Sequence, residues 1–231
     1  MTKRLRCLVA CALGVIASAA SAVPPARVAL VYELVREGTP IAEVTEVLEH
    51  GDGRYTIASE AKGKGLLAGL PLGAFRRDSA GEVNAAGLRP AAYRDQRGGR
   101  IAVAMFDWPA RTMTTEFRGQ IQSHPLDGAV HDRLTQLYTF SFAGLPEGEI
   151  AMRVTDGRGL SEQRFTVAGR ERVSLRGGTF DTIRLERVRE ADDRRAATVW
   201  LAADRDYLPV RVLIVERDGA RFDQTLERIG P

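Results

Sequence analysis

Three histidines, His50, His124 and His131, are the first residues to weigh for metal or acid–base chemistry. Asp127 and His131 stand four apart, a spacing that puts both on one helix face where they could share a metal ion. A metal site needs further ligands, and neither an H-E-x-x-H pattern nor a cysteine cluster supplies them. The pair reads as an exposed capping turn, and no metal or cofactor is expected. Nucleophilic hydrolysis lacks a G-x-S-x-G elbow, and both cysteines, Cys7 and Cys11, fall in the leader. Carboxylates are plentiful, but a charged surface accounts for them as well as a catalytic pair does. No catalytic residue is assigned. What remains is binding chemistry. Arg133, beside Asp132, should flank a buried face, where its planar fork could pair with a sheet carboxylate or an anionic headgroup. Trp108, Tyr138 and Trp200 could line an apolar pocket or serve as core packing.

The element that must position these groups is the stretch Asp127 to Phe142. Val130, Leu134, Leu137 and Tyr138 recur at i, i+4, i+7 and i+8, one stripe of a helix. Asp127 is the expected N-cap, and Gly144 with Pro146 the stop. The candidate ligand-contacting residues are therefore Trp108, Val130, Arg133, Leu134, Leu137, Tyr138 and Trp200. On both sides the period changes to two. Val28, Leu30, Tyr32 and Leu34 alternate, as do Ala42, Val44 and Leu48, then Tyr55 and Ile57, with Gly38-Thr39-Pro40 and Gly51-Asp52-Gly53 as turns. Glu43 and Glu49 mark a water-facing side. Strand signals resume from Phe75 to Val83 and continue, after the helix, to Ile229. Gly63 to Gly73 is apolar yet studded with glycine and reads either as a mobile lip touching a lipid or a partner or as a turn over one end of the sheet.

About a dozen antiparallel strands in one domain require a curved sheet or a half-closed or closed barrel, since open twisted sheets beyond ~10 strands curl or split. The expected fold is mainly β, with one principal amphipathic helix on the concave side.

Residues 1–22 read as an export signal: Lys3, Arg4 and Arg6, then an apolar run from Cys7 to Ala17, then Ala20-Ser21-Ala22, with cleavage expected after Ala22. Removal leaves 209 of 231 residues as a single domain, 23–231, without cysteine. It also removes the whole +3 formal charge, leaving 30 basic and 30 acidic residues, a balance that argues against nucleic-acid binding. The apolar run is shorter than the ~20 residues of a membrane span, so a periplasmic protein without a span after cleavage is expected.

Gly87-Leu88-Arg89-Pro90, Phe106-Asp107, Asp132-Arg133-Leu134 ahead of Leu137-Tyr138, Gly178-Thr179-Phe180, Trp200-Leu201 with Asp204, and Leu208-Pro209-Val210-Arg211 occur in that order. This set resembles a bacterial exported family known as domain of unknown function 3108. That family implies no established activity and no catalytic residue. The W-L-x-x-D-x-x-x-L-P-V-R hairpin also looks like one in periplasmic lipoprotein carriers, half-barrels whose concave face holds acyl chains. Together these readings lead to a binding or carrier-like module for a lipid or other apolar ligand, opened by displacement of the helix. The alternatives are a structural module docking an envelope protein and a hydrolase of envelope glycans.

Overall fold

Alternation becomes strand over most of the chain. The computed structural model describes residues 23–65, 75–189 and 193–230. Residues 1–22, where the export signal is expected, and residues 66–73 of the glycine-studded run lie outside the described residues. The first meander is β1 (Arg27–Arg36), β2 (Thr39–Gly51), β3 (Arg54–Gly63), β4 (Phe75–Asn84), β5 (Gly87–Arg97), β6 (Arg100–Asp107), β7 (Thr112–Phe117) and β8 (Gln120–Pro125). After β9 (Val130–Asp132) come α1 (Thr135–Tyr138) and α2 (Phe140–Ala143). The second meander is β10 (Ile150–Thr155), β11 (Leu160–Leu175), β12 (Gly178–Arg187), β13 (Ala196–Ala202), β14 (Leu208–Val215) and β15 (Arg221–Gly230).

All fifteen strands form one unclosed sheet, in the order β8-β7-β6-β5-β4-β3-β2-β1-β15-β14-β13-β12-β11-β10-β9. The pairing of β1 with β15 joins the two meanders at the centre, and every pair is antiparallel except β9 with β10. The helical segment touches both β5 and β14, which are separated in the sheet by five strands, so the sheet wraps around it. Bulges help the bend, because an extra residue sharpens local twist. They fall at Val31/Tyr32, Ala80/Gly81 and Trp200/Leu201, among others. At Gly81 a Cβ would lie 2.2 Å from the Arg89 carbonyl, so only glycine fits that bulge.

The expected long helix is the main correction. Val130 to Asp132 is a buried strand pairing with Arg153 to Thr155, and only two single helical turns follow, meeting at Thr139. The N-cap position is Leu134, and the side chain that caps the turn is not Asp127 but Asp132, two residues before it. Its Oδ1 accepts the N–H of Leu134 (2.8 Å) and Thr135 (2.9 Å), while Thr135 Oγ1 accepts the Asp132 N–H, a reciprocal box. The apolar stripe is still buried: Val130, Leu134 and Tyr138 enter the core formed with β1–β5, and Phe140 enters a second core with β10–β13.

Candidate functional site

The inner face of β2–β5 is not wholly apolar. Strand parity places Glu46 with Ala42, Val44 and Leu48, and Ser59 with Tyr55, Ile57 and Ala61. Across the ladder Glu46 pairs with Ser59, Ser59 with Arg77, and Arg77 with Asp95, giving one polar row through the interior. Beside it Ser79 pairs with Tyr93.

One half of this network fastens the helical segment. Glu46, 3 % exposed, accepts hydrogen bonds from Tyr138 Oη (2.6 Å) and Ser59 Oγ (3.0 Å). Ser79 Oγ donates to Asp132 Oδ2 at 2.6 Å, and Tyr55 Oη lies 3.1 Å from that same Ser79 oxygen. Tyr32 Oη donates to the Pro209 carbonyl at 2.7 Å. Burial pushes the phenols of Tyr32, Tyr55 and Tyr138 up. Burial also raises the Asp132 carboxyl, opposed by hydrogen bonds from Ser79, Thr135 and Leu134. Gly87 completes the dock. Its φ is +101°, and a Cβ there would lie 2.2 Å from Thr139 Oγ1, which itself accepts the Leu88 N–H.

The other half is not closed on itself. Tyr93, 1 % exposed, has no hydrogen-bond partner for its hydroxyl among the described residues, and neither has Arg77 Nε. Arg77 Nε stands 3.5 Å from Asp95 Oδ2, an ion pair without a hydrogen bond, while Arg97 Nε bonds both Asp95 oxygens at 3.1 and 3.2 Å. Phe75 lies beneath the Arg77 guanidinium at 4.1 Å. Burial lowers the Arg77 pKa, and Arg97 and Arg133 push the same way.

Of the sequence candidates, Val130, Leu134 and Tyr138 are brought together in one core, and Leu137 packs between the two cores. Arg133 reaches Asp156, in the β10–β11 turn, only at 3.9 Å and stays partly exposed. Trp108 packs on the core edge, stacked on Phe106, its Nε1 donating to the Pro90 carbonyl at 2.7 Å. Trp200 is buried elsewhere in that core. Its Nε1 donates to Glu171 at 2.6 Å, and Arg211 lies 4.6 Å over its ring. The histidines are scattered: His50 bonds the Pro24 carbonyl, His124 meets Thr115, and His131 is buried in β9, away from the turn in which Asp127 pairs with Arg111. No metal-binding group occurs among the described residues. Sequence reading missed Glu46, Ser59, Arg77, Tyr93 and Asp95. The detectable signal was polar residues at inward parity, such as Glu46 between Val44 and Leu48.

The architecture has solved counterparts. The "Beta-barrel-like Protein of Domain of Unknown Function DUF1849" from Brucella abortus shares 9 % identity at a TM-score of 0.54, covering 90 % of this chain and 98 % of that one. A candidate lipoprotein from Parabacteroides distasonis shares 9 % identity at 0.41, covering 91 % and 98 %. A candidate exported protein with a YmcC-like fold from Bacteroides fragilis shares 9 % at 0.36, covering 88 % and 95 %. The first supports the barrel-like fold alone. No curated protein matches. A family model described as "Protein of unknown function (DUF3108)" matches residues 29–226.

Proposed function

The chain belongs to the DUF3108 family, and we propose that it is an exported, non-catalytic binding module for an apolar or amphipathic molecule of the bacterial envelope. One observation carries the reading. Four tyrosines are fully buried in one interior; Tyr32, Tyr55 and Tyr138 spend their hydroxyls on protein partners, and Tyr93 does not. An unmade buried hydrogen bond costs about 1–3 kcal/mol, which a ligand that pairs with the Tyr93 hydroxyl would recover. Entry beside Tyr93 and Arg133 also spares the helical segment, whose displacement would break the bonds of Asp132 and Tyr138 as well as the Leu134 packing. No helix among the described residues is long and apolar enough to cross a membrane. The test is native mass spectrometry of protein recovered from its own envelope by mild extraction. A discrete adduct, displaced by envelope lipid extract, is expected. A clean apoprotein that the extract neither loads nor stabilises overturns the reading.

A docking role has its own support. The sheet ends in the free strand β8, where Ile121 is 69 % exposed, with Ile101 and Met105 also exposed on nearby β6. An edge strand presents unpaired N–H and C=O groups that can take a further strand, although β8 is short and mostly polar. In-cell crosslinking from position 121 should then trap one defined protein; a crosslinking pattern no different from that of an exposed site on β2 counts against it. The hydrolase alternative has less to draw on, since the buried carboxylates Glu46, Asp95 and Asp132 are each held by donors of the fold.

A further inference from the structure

We propose that the corner formed by Arg77, Tyr93 and Arg133 binds an oxyanion, the phosphate head of an amphiphile. This rests on the binding reading above and names its ligand class. The charges at this corner do not balance. Arg77, Arg97, Arg133 and Arg158 face three carboxylates, Asp95, Asp156 and the buried Asp132, and Asp132 is already held by Ser79 and by the N–H groups of Leu134 and Thr135. The other two have nearer claimants: Asp95 is held by Arg97 at 3.1 Å and Asp156 by Arg158 at 3.3 Å, whereas Arg77 and Arg133 stand off at 3.5 and 3.9 Å. The two guanidiniums left over are close enough to repel, and both act on Tyr93.

Every unspent group here can donate, and the two guanidiniums can only donate. Arg77 Nε has its N–H free, Tyr93 has its O–H free, and Arg133 carries a fork with 42 % of its side chain exposed. A neutral hydroxyl or amide ligand would serve one of them and leave the charge surplus untouched. A phosphate supplies several acceptor oxygens and the missing negative charge, and guanidinium pairing with it is strong and directional. The corner is also built to work at low dielectric. The Arg77 side chain is 16 % exposed, its guanidinium lies on Phe75, and Tyr93 is buried, so an ion pair formed here is poorly screened. Phe75, packed against the core, offers apolar surface to a chain attached to the head.

Three probes separate head from tail: dodecyl phosphate and dodecyl maltoside, each below its critical micelle concentration, and inorganic phosphate, all titrated calorimetrically at low salt. Dodecyl phosphate should bind, and Arg77→Gln should weaken it by about tenfold or more, as loss of one member of a desolvated charge pair does. Arg133→Gln, at a partly exposed position that leaves the fold intact, should weaken it too, and Arg94→Gln, on an exposed side chain, should not. Tyr93→Phe should lower affinity while leaving thermal stability equal or higher, which a structural hydroxyl would not allow. Equal binding of inorganic phosphate with the same Arg77 dependence would keep the anion site and overturn the amphiphile. Equal binding of both dodecyl compounds, insensitive to Arg77→Gln and Arg133→Gln, would keep the amphiphile and overturn the anion site. No binding of any probe overturns both.

Discussion

His131 lies within a strand whose three residues are all buried, with its Nδ1 unpaired. Burial lowers its pKa to about 4, from an ordinary value of 6.5. The unfolded chain therefore takes up a proton at pH values where the folded chain refuses it. Stability contributed by the neutral ring is full above pH 6.5 and is lost as pH falls toward 4, by at most about 3 kcal/mol. The buried Asp132 carboxyl, raised by burial, acts in the opposite sense over its own range above pH 3.8, so the measured slope is the balance of both. Urea denaturation of wild type and His131→Leu across this window should show a shallower acid limb in the variant. Identical limbs would mean that the ring does not set the acid response.

At the scale of elements, a short polar segment holds two sheet halves together. Asp132 joins β9 to the helical turns through two N–H acceptances and to β4 through Ser79, while Tyr138 ties α1 to Glu46 of β2. Asp132→Ala would strand three buried donors and should cost about 2–4 kcal/mol. Asp132→Asn keeps an acceptor for the two backbone N–H groups and should cost clearly less. Denaturant midpoints for the pair test this order, and equal losses would place the importance in the charge instead of the cap. Periodicity alone made this segment legible as amphipathic and buried, with Val130, Leu134 and Tyr138 correctly grouped. Its conformation was not legible, because residues spaced by four are also buried when a strand passes directly into a tight turn. The interior carboxylates escaped for a related reason: local pattern reveals parity, but which parity faces inward along a strand containing Glu46 or Arg77 depends on what packs against it.

At the scale of the molecule, the first and last strands close the middle of the sheet, while β8 ends it. The β1–β15 pairing spans almost the whole chain, so it forms only when both meanders are in place, and such non-local pairing folds slowly. Hydrogen exchange should follow this layout. The amides of Tyr32, Val44 and Leu226, all fully buried, should be among the slowest, and those of β8 among the fastest. If β1 exchanges as fast as β8, the sheet is not centred on that pair.

The sequence by itself determined the class of protein. Alternating strands, turn glycines and ordered motifs from Gly87 to Arg211 suffice for a mainly β, curved-sheet member of this family, since these signals arise from each residue's own neighbours. Only the tertiary structure decided that Val130 to Asp132 is a strand, that Glu46 and Asp132 anchor the helical turns, and that Tyr93 and Arg77 are left with donors to spare. Each of those facts depends on desolvation and on partners beyond the reach of local spacing, which carries no record of either.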